Sequence, residues 1–233
     1  MPAHSSGQFI AERLAKALPS FWDGRACIAE LKQADYNWRQ MEWIGWWFEF
    51  RAMKELQRLG ATVGPTYGSV TFDCALNGVW DFKAHPLKRS ASGYAYLNDE
   101  EAVDTCLEEH HHIGWIIAVG NAIYDESGDF KRWHEQLKGP ESEYVKQGRA
   151  EGRPSRARKS GFTLTHIVWI DFRSASAVNA AVSARLLRRG LQASQRNSDG
   201  NTRRPKYGFS YSRWRNYSAA DSGIIHTGVV SVP

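Results

Sequence analysis

Hydrophobic residues recur at helical spacing in three stretches of the N-terminal part of the chain. The first begins at Ser5 or Ser6 as N-cap and continues to Leu18, and the second covers Ala26 to Leu31. The third, 36–59, contains no proline, follows Asp35 as the predicted N-cap and stops before Gly60, where a left-handed residue would end a helix. Its apolar residues lie three or four positions apart: Trp43, Trp46, Trp47, Phe50, Met53, Leu56 and Leu59. These patterns predict two short helices in residues 1–35 and one long helix that packs against a large surface.

After Gly64 the pattern changes to short runs rich in β-branched and aromatic residues. Ser69–Leu76 and Val79–His85 are joined by Asn77-Gly78, and an Asn-Gly step between two such runs is a strong hairpin signal. The remaining elements expected up to residue 125 are a strand within 61–67, a helix over 98–110 and a buried strand over 113–124. This order predicts an α/β fold with a mixed central sheet flanked by helices.

The second half of the chain is more polar and is predicted to complete the same structural unit. We expect a helix over 130–137, a long connection over 138–161, a strand over 165–172 and a helix from Ser174 or Ser176 to Gly190. The expected organisation is therefore a helical preface (1–35), a core that carries the hairpin (36–125), and a basic region that completes the core and binds DNA (126–233).

Composition excludes several protein classes. The 233 residues are 42% hydrophobic and 24% charged, which is typical of a soluble globular protein. No apolar run is long enough to span a membrane, and the N-terminus lacks the pattern of a secretory signal. The three cysteines are widely spaced and odd in number, which argues against a disulfide framework. We therefore expect a cytoplasmic protein with reduced cysteines and no membrane partner.

Charge is unevenly distributed along the chain. Residues 121–233 hold 19 Lys and Arg against 10 Asp and Glu, whereas residues 1–120 hold 11 against 15. Basic residues interleaved with aromatic ones favour a nucleic-acid partner, because cations contact phosphates and rings stack on bases. The alternative is a solvated Arg-rich surface with ordinary core aromatics. The predicted DNA-binding residues are Arg156, Arg158, Lys159, Arg203, Arg204, Lys206, Arg213 and Arg215.

The predicted hairpin carries the residues best suited to catalysis. Asp81 and Lys83 are two positions apart on one strand and so share a face of the sheet, and Asp73 lies on the preceding strand. Carboxylates can hold Mg²⁺, which polarises a phosphodiester, while an ammonium orients the attacking water. An Asp-x-Lys pair alone is weak, since any exposed strand can contain one.

The surroundings of this pair strengthen the interpretation. The segments Gly45-Trp46-Trp47-Phe48-Glu49, Thr71-Phe72-Asp73 and Val79-Trp80-Asp81-Phe82-Lys83 resemble the PD-(D/E)xK nuclease superfamily, and the resemblance covers about 45–124. It implies a restriction-endonuclease-like αβββαβ core with N-terminal helices and a basic C-terminal extension. It also implies Mg²⁺ as cofactor, Asp73 and Asp81 as metal ligands, the Phe82 carbonyl as a further ligand, Lys83 beside the nucleophilic water, and Glu49 as an accessory acid.

Two registers are open to the hairpin, and they have opposite consequences for the site. Phe72 stands where the family usually has proline, and only seven residues separate Asp73 from Asp81. A two-residue turn would pair Leu76 with Val79 and direct Asp73 away from Asp81. A three-residue loop would pair Ala75 with Val79 and put Asp73 opposite Asp81 on the same face. We predict the second register.

Other chemistry is less favoured. His110-His111-His112 near Cys106 would suggest zinc, but three consecutive helical side chains diverge by about 100° each and cannot all face one ion. His85 shares the face of Asp81 and Lys83 and is either a phosphate contact or part of the strand packing, while Glu49 is either an accessory acid or a solvated helical residue.

The sequence thus predicts a Mg²⁺-dependent endonuclease that cleaves double-stranded DNA, most simply as a sequence-specific type II restriction enzyme acting as a homodimer. The alternatives are a structure-selective resolvase or repair nuclease, and a nucleic-acid-binding protein without hydrolytic activity.

Overall fold

The computed structural model describes residues 6–65, 72–87, 94–141, 143–152, 157–197, 200–217 and 226–232. The helices are α1 (Ser6–Ala17), α2 (Gly24–Gln33), α3 (Trp43–Gln57), α4 (Glu100–His110), α5 (Asp129–Lys138), α6 (Glu143–Ala150), α7 (Ala175–Ser183) and α8 (Tyr211–Trp214). The strands are β1 (Phe21–Asp23), β2 (Thr62–Val63), β3 (Cys74–Ala75), β4 (Val79–Leu87), β5 (Tyr94–Asp99), β6 (Ile113–Tyr124), β7 (Lys159–Phe172), β8 (Leu187–Leu191), β9 (Lys206–Ser210) and β10 (His226–Ser231). Within the described residues, no helix is both long and apolar enough to cross a bilayer.

A mixed sheet forms the centre of the molecule. Its described strands follow the order β1-β7-β6-β4-β3-β2, and β10 also pairs with β7. The β4 and β6 strands are parallel, while β7 runs antiparallel to β6. The β1 and β10 strands share one edge of β7, with β1 beside 161–163 and β10 beside 166–171. The fold is therefore mixed α/β with helices on the sheet, as the sequence predicts.

Both faces of the sheet are covered by hydrophobic cores. Alternation along β6 sends Ile116 and Ala118 into the core that contains residues of α1, α2 and α3. Trp115, Ile117 and Val119 enter the second core, which contains residues of α4 and α7. A strand buried on both faces reads as a continuous apolar run, which is why the sequence predicts β6 with its observed bounds.

A second, three-stranded antiparallel sheet, β5-β9-β8, packs onto the second core. Ala95 pairs with Phe209, which pairs with Leu187, and these three side chains are buried. Tyr96 pairs with Gly208, which pairs with Arg188, on the opposite face. This sheet therefore has one buried and one outward face.

Two departures from the sequence expectations occur at the ends of helices. The long helix begins at Trp43 rather than near Tyr36, because Asp35 and Asn37 have φ angles of 50° and 42° that interrupt it. Gly60 follows α3 with the positive φ, 89°, that was expected. The helix expected to reach Gly190 ends at Ser183, and the chain then pairs with β9 as β8. Ser174 does cap that helix, accepting from the Ala177 N–H.

Candidate active site

The hairpin of β3 and β4 has the register that brings its two carboxylates together. Ala75 pairs with Val79 and Cys74 with Trp80, which confirms the predicted three-residue loop. The Asp73 N–H donates to the Trp80 carbonyl over 2.9 Å and extends this pairing toward Asp81. The loop requires positive φ angles of 51° at Asn77 and 129° at Gly78, which explains the Asn-Gly sequence.

A buried histidine holds this loop against the sheet. Nδ1 of His112 lies 3.1 Å from both the peptide nitrogen and the carbonyl oxygen of Val79. Its Nε2 lies 3.6 Å from a carboxylate oxygen of the buried Asp171 on β7. A side-chain carbon on Gly78 would come within 2.8 Å of the imidazole ring. His112 therefore has a structural position below the hairpin, which the His-His-His sequence did not suggest.

Asp81 is 3% exposed, and both of its carboxylate oxygens have partners. Nζ of Lys83 donates to Oδ1, and Nδ2 of Asn98 donates to Oδ2 over 2.5 Å. The amide oxygen of Asn98 in turn accepts from Nε1 of Trp115 over 3.0 Å. This chain of hydrogen bonds orients both Asn98 and Asp81. Sequence reasoning missed Asn98 as a site residue, because β5 brings it there through tertiary packing.

Asp73, which directly precedes β3, lies near Asp81 and Lys83. Its Oδ2 accepts from the Phe82 N–H over 2.7 Å, while the Phe82 ring packs edge-on against Phe48 in the core. Burial raises the pKa of Asp73 well above its ordinary value, and repulsion from the Asp81 carboxylate adds to the shift. The Glu49 carboxylate adds further repulsion, whereas Lys83 opposes it. Asp73 thus lies in a site that favours an added cation.

Lys83 and Glu49 complete this group of charges. Burial alone would lower the pKa of Lys83, but the carboxylates of Asp81, Asp73 and Glu49 outweigh it, so the pKa is raised and the ammonium is retained. Glu49 is half-buried and accepts a hydrogen bond from the Tyr36 hydroxyl. Its pKa is raised by burial, although Tyr36 and Lys83 favour the carboxylate. Glu49 is therefore not a freely solvated helical residue.

One cavity of about 770 Å³ is lined by all four charged side chains, namely Glu49, Asp73, Asp81 and Lys83. A volume of this size is typical of pockets that enclose a small organic group. Its wall also carries aromatic side chains from separate segments, namely Tyr36, Trp46, Phe72 and Tyr96. Amide side chains and one more ammonium complete the lining, contributed by Asn37, Asn98, Gln192 and Lys206. The cavity thus combines acids, amides and rings.

The donor set is compatible with Mg²⁺, although it is not a closed metal cage. Among the described residues, no group of three or more His, Cys, Asp or Glu side chains is arranged to hold a metal ion. Mg²⁺ needs no such group, because it commonly takes one or two carboxylates and completes its shell with water and substrate phosphate. Asp73 and Asp81 could supply those carboxylates, and a cation would relieve the repulsion that raises the pKa of Asp73.

The predicted DNA-binding residues fall in different parts of the fold. Lys206 lines the cavity, and its Nζ lies 2.7 Å from Asp99. Arg204 pairs with the same carboxylate over 2.9 Å, and the adjacent Arg203 has a buried Nε without a hydrogen-bond partner. Arg213 lies in α8 and Arg215 directly after it. These five residues lie just before, within or just after β9, and they remain predicted DNA contacts.

The other three predicted contacts lie elsewhere. Arg158 has a side chain that is 11% exposed and 3.6 Å from Glu135, so it is less accessible to DNA than the sequence suggested. The Lys159 carbonyl accepts from Nε1 of Trp43. Arg156 lies outside the described residues. His85, the further phosphate candidate, lies beside the Tyr211 ring with 6.1 Å between ring centres.

Comparison with known proteins does not assign this cavity. No protein-family model matches the chain, and no curated protein and no solved structure shows significant similarity to it.

Proposed function

We propose that this protein is a Mg²⁺-dependent endonuclease that hydrolyses phosphodiester bonds of double-stranded DNA. The observation that carries the proposal is the convergence on one cavity of Glu49 from α3, Asp73 from the residue directly before β3, and Asp81 with Lys83 from β4. Neighbouring buried carboxylates repel one another unless a counterion or a proton offsets the charge, and perturbed carboxylates in a cleft are typical of catalytic sites.

Each side chain has a distinct role in this proposal. Asp73 and Asp81 would hold the metal, with the Phe82 carbonyl as the further ligand. Bound Mg²⁺ would supply Lewis-acid chemistry at the scissile phosphate and lower the pKa of a water. Lys83 orients the attacking water and offsets the negative charge that develops on the phosphate. Glu49, held by Tyr36, is the accessory acid, and Asn98 keeps Asp81 oriented.

The order of elements supports a nuclease core of the αβββαβ type. The α3 helix is followed by β2, β3 and β4, and then by α4 and β6, with β5 inserted before α4. The basic second half of the chain would grip the duplex and act as the C-terminal extension. The proposal includes recognition of a short DNA sequence by a homodimer, as in type II restriction enzymes. It also includes a cytoplasmic location.

One observation favours a second candidate, a DNA-binding protein without hydrolytic activity. The Lys83 ammonium contacts Asp81 directly, and in a protein without hydrolytic activity this contact would be a structural ion pair. Binding that weakens with salt is expected for both candidates. Strand scission that requires Mg²⁺ is expected only for the enzyme.

The test is incubation of the purified protein with a plasmid of known sequence, with Mg²⁺ or with a chelator, followed by mapping of fragment ends. We expect Mg²⁺-dependent cleavage that Asp81→Ala and Lys83→Ala abolish while DNA binding persists. Asp129→Ala, which removes an exposed carboxylate on α5, is the control and should cleave normally. Discrete fragments would indicate sequence recognition and a smear an unselective nuclease. Intact plasmid, or normal turnover by Lys83→Ala, would exclude the proposed mechanism.

A further inference from the structure

The outward face of the β5-β9-β8 sheet carries an exposed tyrosine ring, a half-buried one and an exposed guanidinium. Tyr96 is 50% exposed, although its neighbours in the strand, Ala95 and Leu97, are buried. Arg188 shares the face of Tyr96, because both pair with Gly208 of the central strand. The Arg188 guanidinium carbon lies 5.7 Å from the centre of the Tyr94 ring, within the range of a cation–π contact. The face thus presents two rings and one exposed cation.

Gly208 sets how closely these side chains gather. A side-chain carbon at this position would lie 2.1 Å from Cδ1 of Leu191 and 3.0 Å from Cβ of Tyr94. Leu191 and Tyr94 therefore pack over the glycine and form an apolar floor between the strands. Exposed aromatic side chains on such a floor can stack on other planar groups.

This face continues into the cavity that holds the acids. Tyr96 and Asn98 both line the cavity, and Asn98 donates to Asp81 over 2.5 Å. Tyr94 lies two residues before Tyr96 on β5, which is roughly 6.8 Å along an antiparallel strand, and on the side away from Asn98. A strand laid along β5 would therefore pass both tyrosine rings before it reached the carboxylates.

The charge of the cavity decides which part of a nucleic acid it can hold. Five carboxylates line it, from Asp35, Glu49, Asp73, Asp81 and Asp99, against the ammoniums of Lys83 and Lys206. Phosphates other than the one bridged by a cation are disfavoured there by like-charge repulsion. Bases carry no charge and stack on aromatic rings, and their faces are free for stacking only where the strand is unpaired.

From these observations we propose that the outward face of β5, β9 and β8 binds an unpaired stretch of the DNA substrate and leads it into the catalytic cavity. A base stacks on Tyr96, and Arg188, which lies over the Tyr94 ring, contacts a phosphate. This inference rests on the proposed nuclease function and changes its preferred substrate from flush double-stranded DNA to DNA that is single-stranded or splayed at the cut.

The first test compares binding of a fluorescent single-stranded oligonucleotide by anisotropy, without Mg²⁺. Stacking contributes about 1–3 kcal/mol per base, so Tyr96→Ala should raise Kd by roughly 5- to 150-fold. Tyr96→Phe keeps the ring and should bind like the wild type. The matched control is Tyr124→Ala, which removes a tyrosine of similar exposure, 45%, at the end of β6 and should have no effect. Arg188→Ala should also weaken binding, and more so at low salt.

The second test compares cleavage of one sequence as a single strand, as a splayed fork and as a flush duplex in Mg²⁺. We expect the single strand and the fork to be cleaved at least about 10-fold faster than the duplex, and Tyr96→Ala to remove most of that preference. Faster cleavage of the duplex, or an unchanged Kd for Tyr96→Ala, would overturn this inference and leave the nuclease proposal intact. If Tyr96→Ala weakens binding but no substrate is cleaved, the hydrolytic function fails and the binding face stands.

Discussion

Gly78→Ala is the substitution that most directly tests how the hairpin places the two carboxylates. Gly78 has a φ of 129°, which an L-residue rarely adopts, and forcing such a conformation costs about 1–3 kcal/mol. The added carbon would also lie 2.8 Å from Cε1 and Nδ1 of His112, which is itself buried, and overpacking of this kind costs about 1–3 kcal/mol. We therefore expect the free energy of unfolding to fall by about 2–6 kcal/mol.

Gly60→Ala is the matched control. Gly60 also has a positive φ, 89°, but a carbon added there would have nothing within 4 Å. It should cost only the backbone strain, so the difference between the two variants isolates the contact with His112. For a protein of this size 1 kcal/mol shifts Tm by about 2–4 °C, so thermal unfolding resolves the difference, and urea unfolding gives the free energies.

A double-mutant cycle completes the measurement. His112→Ala in the Gly78→Ala background removes the overlap, so the two losses should be less than additive by about 1 kcal/mol or more. The reasoning is refuted if Gly78→Ala costs no more than Gly60→Ala, or if the two losses simply add. The imidazole would then not lock the loop, and the placement of Asp73 would need another cause.

Three further predictions concern single polar side chains. Because the pKa of Asp73 is raised in the folded protein, its ionisation destabilises the fold as pH rises above the ordinary Asp pKa. In urea unfolding at pH 8 without metal, Asp73→Asn should therefore be more stable than the wild type. Addition of Mg²⁺ should stabilise the wild type but not Asp73→Asn. Loss of a hydrogen bond to a charged group costs about 1.5–3 kcal/mol, so Asn98→Ala should raise the Mg²⁺ concentration for half-maximal cleavage by about 10-fold or more; an unchanged Mg²⁺ titration would contradict its role in orienting Asp81. The hydrogen bond from Arg13 lowers the pKa of Glu55, so this pair stabilises the fold above the ordinary Glu value and loses its effect on acidification; Arg13→Ala should cost up to about 1 kcal/mol at pH 7 and nothing at pH 2, and equal losses at both would exclude the charge effect.

Several elements follow directly from local sequence. The apolar run of β6, the periodicity of α1 and the Ser174 cap of α7 are properties of adjacent residues, and they predict these elements or their first turns correctly. Alternation along β4 assigns Asp81 and Lys83 to one face for the same reason. Where several contacts compete, local pattern fails: α3 begins seven residues later than the predicted N-cap at Asp35 suggests, because the chain turns at Asp35 and Asn37.

Sequence by itself determined the α/β class, the hairpin at Asn77-Gly78 and the chemical types available to the site, since these depend on period and on neighbouring side chains. Tertiary structure alone decided which groups meet. The hairpin register is held by His112, 33 residues from its partner Val79, and Asn98 reaches Asp81 from a separate sheet whose short strands have no distinctive local pattern. Contacts between distant segments depend on how whole faces are buried against one another, and no short window of residues contains that information.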